Sequence, residues 1–270
     1  MKQLFLLVIS AVLALTGRAA TVDTLAIEAV HVKSPYKTVV ITPDAAKANP
    51  SAKFPTVYLL NGYSGDYKSW ITLRDDLPEL ADRYGMVIVT PDGRDSWYWD
   101  SPRNADMQME TFITTELVPY IDNHYPTKTQ PEFRAITGLS MGGHGGLWLG
   151  IRHSDIFGSA GSTSGGVNII PFPKKWKMAD QLGDCESNKE SWRDHTVINL
   201  VPQLKPGQLN IIFDCGVDDF FFEVNNELHQ ALLDAKIPHD YITRPGAHTA
   251  QYWRNSILYQ LLYFNEIFTR

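Results

Sequence analysis

Apolar residues fall along this chain in short runs, separated by stretches where they recur every three or four positions. Thr24–Val32 and Lys37–Pro43 predict strands. Phe54–Gly62 (FPTVYLLNG) is a near-continuous apolar run ending in Asn-Gly, and Met86–Gly93 (MVIVTPDG) is another ending in Pro-Asp-Gly. Both predict buried strands closed by turns. Phe133–Ser140 and Leu209–Gly216 read the same way, and a further strand begins near Tyr241. Met109–Tyr125 carries Phe112, Ile113, Leu117, Val118 and Ile121 at helical spacing, and Val224–Ala235 and Trp253–Phe268 predict two more helices. Strands interleaved with helices predict an α/β fold: a mostly parallel central sheet with helices on both faces.

Two segments break this rhythm. Residues 166–206 are polar, rich in Lys, Asp, Pro and Trp, and weakly periodic. A long irregular connection within a compact domain is usually a functional loop, so an insertion or lid near the active site is expected there, carrying Trp176 and Trp192. The other segment is the N-terminus. Lys2 precedes an uncharged apolar run, Leu4–Leu15, and small residues stand at Gly17 and Ala19. This is the pattern of a secretory signal peptide cleaved after Ala19. Twelve residues are too few to span a bilayer as a helix. Residues 20–270 are then expected to form a single α/β domain, secreted or periplasmic, with no stable membrane insertion.

Charge and cysteine content narrow the chemistry. The 270-residue chain carries a formal charge of −6, and loses Lys2 and Arg18 with the signal. An acidic protein lacks the basic face that phosphate neutralisation needs, so nucleic acid is not an expected partner. Cys185 and Cys215 are the two cysteines. Export and an even count favour one disulfide between them, two unrelated buried thiols being the alternative. No Cys/His spacing reads as a metal site.

The most specific motif is Gly138-Leu139-Ser140-Met141-Gly142. It matches G-x-S-x-G where a predicted strand turns into a predicted helix, the context a nucleophile elbow requires. The flanking glycines let strand and helix approach without a Cβ clash. A serine hydroxyl needs a base to take its proton, and the base needs a carboxylate to orient it. On this scaffold the chain order is Ser, then Asp or Glu, then His. Asp219 lies where the Leu209–Gly216 strand ends, with Asp218 as the alternative acid; whichever does not serve the His is expected to cap the following helix. His248 lies in a Pro-Gly loop before the last helix. Among eight histidines, His195 in the insertion is its main rival. An oxyanion hole needs two backbone N–H groups: that of Met141, after the nucleophile, and that of Tyr63 in the Leu59–Gly65 loop, shaped by Asn61 and Gly62. No cofactor or metal is required.

With these residues placed, the chain resembles the esterase D/antigen 85-like branch of the α/β-hydrolases, which includes feruloyl and acetyl-xylan esterases. Four segments carry the resemblance: Val57–Trp70, Gly138–Gly146, Asp214–Phe221 and Pro245–Trp253. It implies an acid three residues after Gly216, again Asp219, and an oxyanion N–H after Gly62, again Tyr63. Many relatives have His where this chain has Asn61, a departure expected to alter substrate placement rather than catalysis. The resemblance also implies a serine carboxylic-ester hydrolase acting through an acyl-enzyme, on small-molecule or polysaccharide esters, and the signal pattern adds the expectation that it is exported. Trp97, Tyr98 and Trp99 follow a predicted strand and are expected to touch a sugar or phenolic acyl group; packing against a neighbouring loop is the alternative. Acyl transfer of the antigen 85 type, cleavage of siderophore esters and non-catalytic carbohydrate binding are the rival functions.

Overall fold

A computed structural model describes residues 19–270; the signal-peptide segment lies outside them except for Ala19. The described residues form eight strands: β1 (Thr21–Ile27), β2 (Tyr36–Thr42), β3 (Thr56–Leu60), β4 (Val87–Pro91), β5 (Arg134–Gly138), β6 (Ser159–Thr163), β7 (Asn210–Gly216) and β8 (Asp240–Arg244). They form one sheet in the order β1-β2-β4-β3-β5-β6-β7-β8. The β1–β2 and β2–β4 pairs are antiparallel, and every later pair is parallel. The central strands β3 to β6 are buried along their whole length. That explains why β3 and β4 read as unbroken apolar runs: a strand covered on both faces has no polar side to alternate.

The helices are α1 (Ala45–Ala48), α2 (Ser69–Leu73), α3 (Leu77–Tyr84), α4 (Met109–Thr111), α5 (Val118–His124), α6 (Met141–Arg152), α7 (Met178–Leu182), α8 (Lys189–Asp194), α9 (Phe222–Asp234) and α10 (Ala250–Phe268). A π-helical stretch, Phe112–Leu117, joins α4 to α5. The helix expected over Met109–Tyr125 is therefore continuous in space, with a widened turn just before Pro119. Proline has no N–H to continue the i→i−4 ladder. Two buried clusters sandwich the sheet, one holding Phe112, Trp148 and Trp192 and the other Trp70, Ile257 and Phe264.

Strand β6 has no counterpart in the sequence pattern, because Ser-Ala-Gly-Ser-Thr contains no large apolar side chain. Its smallness reflects what lies on it. Helix α6 runs so close that a Cβ on Gly150 would stand 2.4 Å from the Ala160 methyl. Helix α3 was also not predicted, although Pro78 at its start and left-handed Gly85 at its end frame it. The 166–206 segment contains α7, α8 and a 3-10 stretch, Val197–Gln203. Met178, Leu182, Trp192, Val197 and Leu200 anchor it in the main core. Its weak periodicity follows from helices too short to show an apolar stripe.

The expected disulfide is absent: both thiols are free. Cys215 is fully enclosed within β7, and burial pushes its thiol far above the usual range. Cys185 is half-buried in the turn after α7. An even cysteine count constrains pairing only when the fold brings the two sulfurs together.

Candidate active site

Strand β5 ends at Gly138, and the chain reverses into α6 through Ser140, whose φ of 56° and ψ of −116° lie in a region L-residues rarely occupy. The Ser140 N–H donates to the Thr163 carbonyl at 2.9 Å, and the Ser140 carbonyl accepts from His144 N–H at 3.0 Å. The turn is tight because glycine flanks it. A Cβ on Gly142 would stand 2.2 Å from the Leu60 carbonyl oxygen, and one on Gly138 would stand 2.5 Å from the same atom. These are backbone contacts that no side-chain rotation could relieve.

Ser140, Asp219 and His248, far apart in sequence, converge at the carboxyl ends of the parallel strands. His248 Nε2 lies 2.9 Å from Ser140 Oγ. His248 Nδ1 lies 2.9 and 3.0 Å from the two carboxylate oxygens of Asp219. The Asp219 side chain is fully buried, which concentrates its charge on the imidazole. Asp219 Oδ1 also accepts the Phe221 N–H at 2.9 Å. The orienting carboxylate therefore also braces the start of α9, and exposed Asp218 does not cap it. Phe220 packs on the His248 ring with centroids 4.3 Å apart, and Trp253 meets it edge-on at 4.8 Å. Phe221 also meets the ring edge-on at 5.5 Å, so the imidazole is held by a carboxylate and three aromatic rings.

A cavity of about 510 Å³ opens at Ser140. Tyr63, Trp176, Phe220 and Trp253 are among its walls. Trp176 stacks on Phe220 at 5.7 Å, so the insertion contributes one wall. Trp192 instead is buried and donates its Nε1–H to the Gly183 carbonyl, an anchor rather than a wall. Met141 opens α6, where an N–H has no i−4 helical acceptor, and Tyr63 borders the cavity from the β3 loop. Among the described residues neither N–H has an acceptor.

Trp97, Tyr98 and Trp99 do not reach the cavity; all three are buried. Trp97 N–H points at Met141 Sδ at 3.4 Å, and Trp99 Nε1–H donates to His144 Nε2 at 2.8 Å. Tyr98 Oη lies 3.0 Å from the Asn61 carbonyl and 3.1 Å from its Oδ1. The aromatic loop after β4 is therefore the floor of the site. Its residues pack because three consecutive rings expose too much apolar surface to leave in water. Asn61 is buried too: its Oδ1 accepts the Gly93 N–H at 2.7 Å and its Nδ2–H donates to the Gly62 carbonyl at 2.9 Å. It shapes the Tyr63 loop from below and does not itself line the cavity, so any effect of the departure on substrate would pass through that loop.

The rival histidines are structural. His144 is enclosed, with Nε2 accepting from Trp99 and Nδ1 3.0 Å from the Gly166 carbonyl; desolvation, aided by nearby His195, lowers its pKa to about 3. His195 stacks on Trp148 at 5.6 Å, and its Nδ1 is 2.7 Å from the Ser191 carbonyl. Phe220 and Trp253 were not singled out in sequence. Their adjacency to Asp219 and to the His248 loop was the available signal.

The geometry has counterparts among known proteins. The family model described as "Putative esterase" matches residues 30–264. An acetyl esterase of Caldicellulosiruptor saccharolyticus is 28% identical over 219 residues, covering 77% of this chain and 82% of that protein. An S-formylglutathione hydrolase of Rattus norvegicus is 24% identical over 249 residues, covering 83% and 86%. Among solved structures, a ferulic acid esterase superposes with a TM-score of 0.78 at 28% identity, covering 92% of this chain and 98% of that one. FphF, a fluorophosphonate-binding serine hydrolase of Staphylococcus aureus, superposes with a TM-score of 0.82 at 20% identity, covering 91% and 98%; at that identity the likeness speaks to the fold. An eight-stranded α/β-hydrolase sheet, a strained serine in reach of a histidine and a family match over most of the chain agree, and this chain belongs to the serine esterases of that family, the carboxylic-ester hydrolases related to esterase D and antigen 85.

Proposed function

We propose that the protein is an exported esterase that removes acyl groups, acetyl or feruloyl, from carbohydrate esters by way of an acyl-serine. The observation that carries the chemistry is the unbroken relay from Ser140 Oγ through His248 to Asp219, each link 2.9 Å. His248 Nε2 takes the Ser140 proton as Oγ attacks the ester carbonyl. Asp219 keeps the imidazole in the tautomer with Nδ1–H and stabilises the imidazolium. The Tyr63 and Met141 N–H groups hold the oxyanion of the tetrahedral intermediate. His248 then protonates the departing alcohol oxygen. A water molecule, deprotonated by His248, attacks the acyl-serine and regenerates the enzyme.

For the acyl group, the supporting features are the Trp176, Phe220 and Trp253 walls and the acetyl and ferulic acid esterases among the 28%-identical relatives. Flat aromatic surfaces suit a planar acyl group or a sugar face. Export rests on the Lys2, Leu4–Leu15, Ala19 pattern. The first test is p-nitrophenol release from short-chain acyl esters by the mature protein beside Ser140→Ala. Turnover that vanishes in the variant supports a serine esterase, and a panel of acetylated and feruloylated saccharides then reads the substrate. Persistent turnover in Ser140→Ala refutes it. N-terminal sequencing of protein recovered outside the cytoplasm checks export, with Ala20 expected first.

A further inference from the structure

The loop after β4 also reaches the turn that follows β3. Gly62 to Gly65 form a tight turn closed by the Gly65 N–H on the Gly62 carbonyl at 3.0 Å. Ser64, third of the four, has a φ of 60°. A turn of this kind favours glycine there, because a side chain at positive φ is strained. The local sequence therefore does not by itself favour the conformation, and something else must stabilise it. The Ser64 N–H donates to Asp95 Oδ1 at 3.1 Å. Asp95 is in turn held from the insertion: its Oδ2 faces Lys177 Nζ at 3.7 Å, and its main-chain carbonyl accepts Gln181 Nε2–H at 2.6 Å. Tyr63 is the second residue of the same turn and lines the cavity.

We propose that Asp95 is a positioning residue for the oxyanion hole, its carboxylate locking the Gly62–Gly65 turn so that the Tyr63 N–H stays aimed at the carbonyl oxygen of an ester bound to Ser140. This rests on the serine-esterase reading above. Asn61 supports the same turn from below but is buried, so its removal would also disturb the core. Asp95 is partly exposed and can be changed with less disturbance. A bond that is stronger when the oxyanion forms acts on the transition state and leaves ground-state binding nearly unchanged.

The experiment uses the mature protein with p-nitrophenyl acetate, and a peptide-free aryl trifluoromethyl ketone as inhibitor. Ser140 Oγ adds to that ketone to give a tetrahedral oxyanion, its proton passing to His248. Losing a fixed oxyanion donor outright costs about 10²–10³ in kcat, and loosening one is expected to cost about tenfold. Asp95→Ala should lower kcat about tenfold with KM within about twofold, and weaken the ketone by the same factor. Asp95→Asn keeps an oxygen that accepts the Ser64 N–H, and should recover most of both. Should Asp95→Ala not fold, Asp95→Ser, too short to reach Ser64, carries the same expectation. Unchanged kcat and ketone affinity in the Ala or Ser variant overturn the assignment, as does an Asn variant as impaired as the Ala one. Ser140→Ala in parallel separates the two ideas. If it is dead while Asp95→Ala matches wild type, only the Asp95 role fails. If Ser140→Ala still turns over, both fail.

Discussion

His144 makes the folded protein sensitive to acid in a way that can be calculated. It lies one turn into α6, directly beneath the nucleophile, and is fully enclosed. Its Nε2 accepts the Trp99 indole N–H, so protonating that nitrogen would set two donors against each other. Burial, with help from His195, lowers the pKa from 6.5 to about 3, while the Gly166 carbonyl opposes this only in part. The folded state therefore refuses a proton that the unfolded chain accepts. Stability from this site is present above pH 6.5 and is lost as pH falls from 6.5 towards 3. Between pH 7 and pH 5 one such group costs about 2 kcal/mol. The figure barely depends on the folded value, because pH 5 lies well above it. The assay is urea unfolding at both pH values for wild type and His144→Gln, which keeps an acceptor and a donor but does not titrate. Any pH-independent loss in the variant cancels when each protein is compared with itself. The wild type should lose about 2 kcal/mol more than the variant on going to pH 5. Parallel losses, within about 0.5 kcal/mol, would refute the reasoning.

Asp219→Asn should fold normally yet lower kcat about 10³- to 10⁴-fold, because an amide cannot hold the His248 tautomer or offset its charge; steady-state kinetics beside a thermal melt checks both. Gly142→Ala places a methyl carbon 2.2 Å from the Leu60 carbonyl, and should destabilise by about 3 kcal/mol and cripple turnover together, read by denaturant midpoint and p-nitrophenyl acetate kinetics. Thiol titration of the denatured, unreduced protein should find two free cysteines, and added reductant should leave the melting temperature unchanged.

The chemistry-bearing residues were legible because the elbow imposes local demands. G-x-S-x-G between an apolar run and a helix announces a strained serine, and the strands ahead of Asp219 and the loop around His248 could be read from hydrophobic runs and Pro-Gly signals. Two adjacent aspartates end the same strand, and the fold sets the carboxylate of Asp219 against His248. The aromatic loop was read differently from what the fold does with it. Trp97, Tyr98 and Trp99 follow a strand whose end faces the cavity, but position along the chain does not tell whether a ring turns up towards substrate or down beneath α6.

What the sequence alone determined is the part set by short-range rules: the alternation that makes an α/β sheet, the glycines that permit the elbow, and the order of nucleophile, acid and base. What only the tertiary structure decided depends on contacts between segments distant in the chain. Strand β6 is small because α6 lies against it. Trp176 is a wall and Trp192 an anchor, although both sit in one polar insertion. The two cysteines remain free although both adjoin the same core, Cys215 within β7 and Cys185 in the turn after α7. Periodicity records which side of an element is buried, whereas these outcomes turn on what it is buried against.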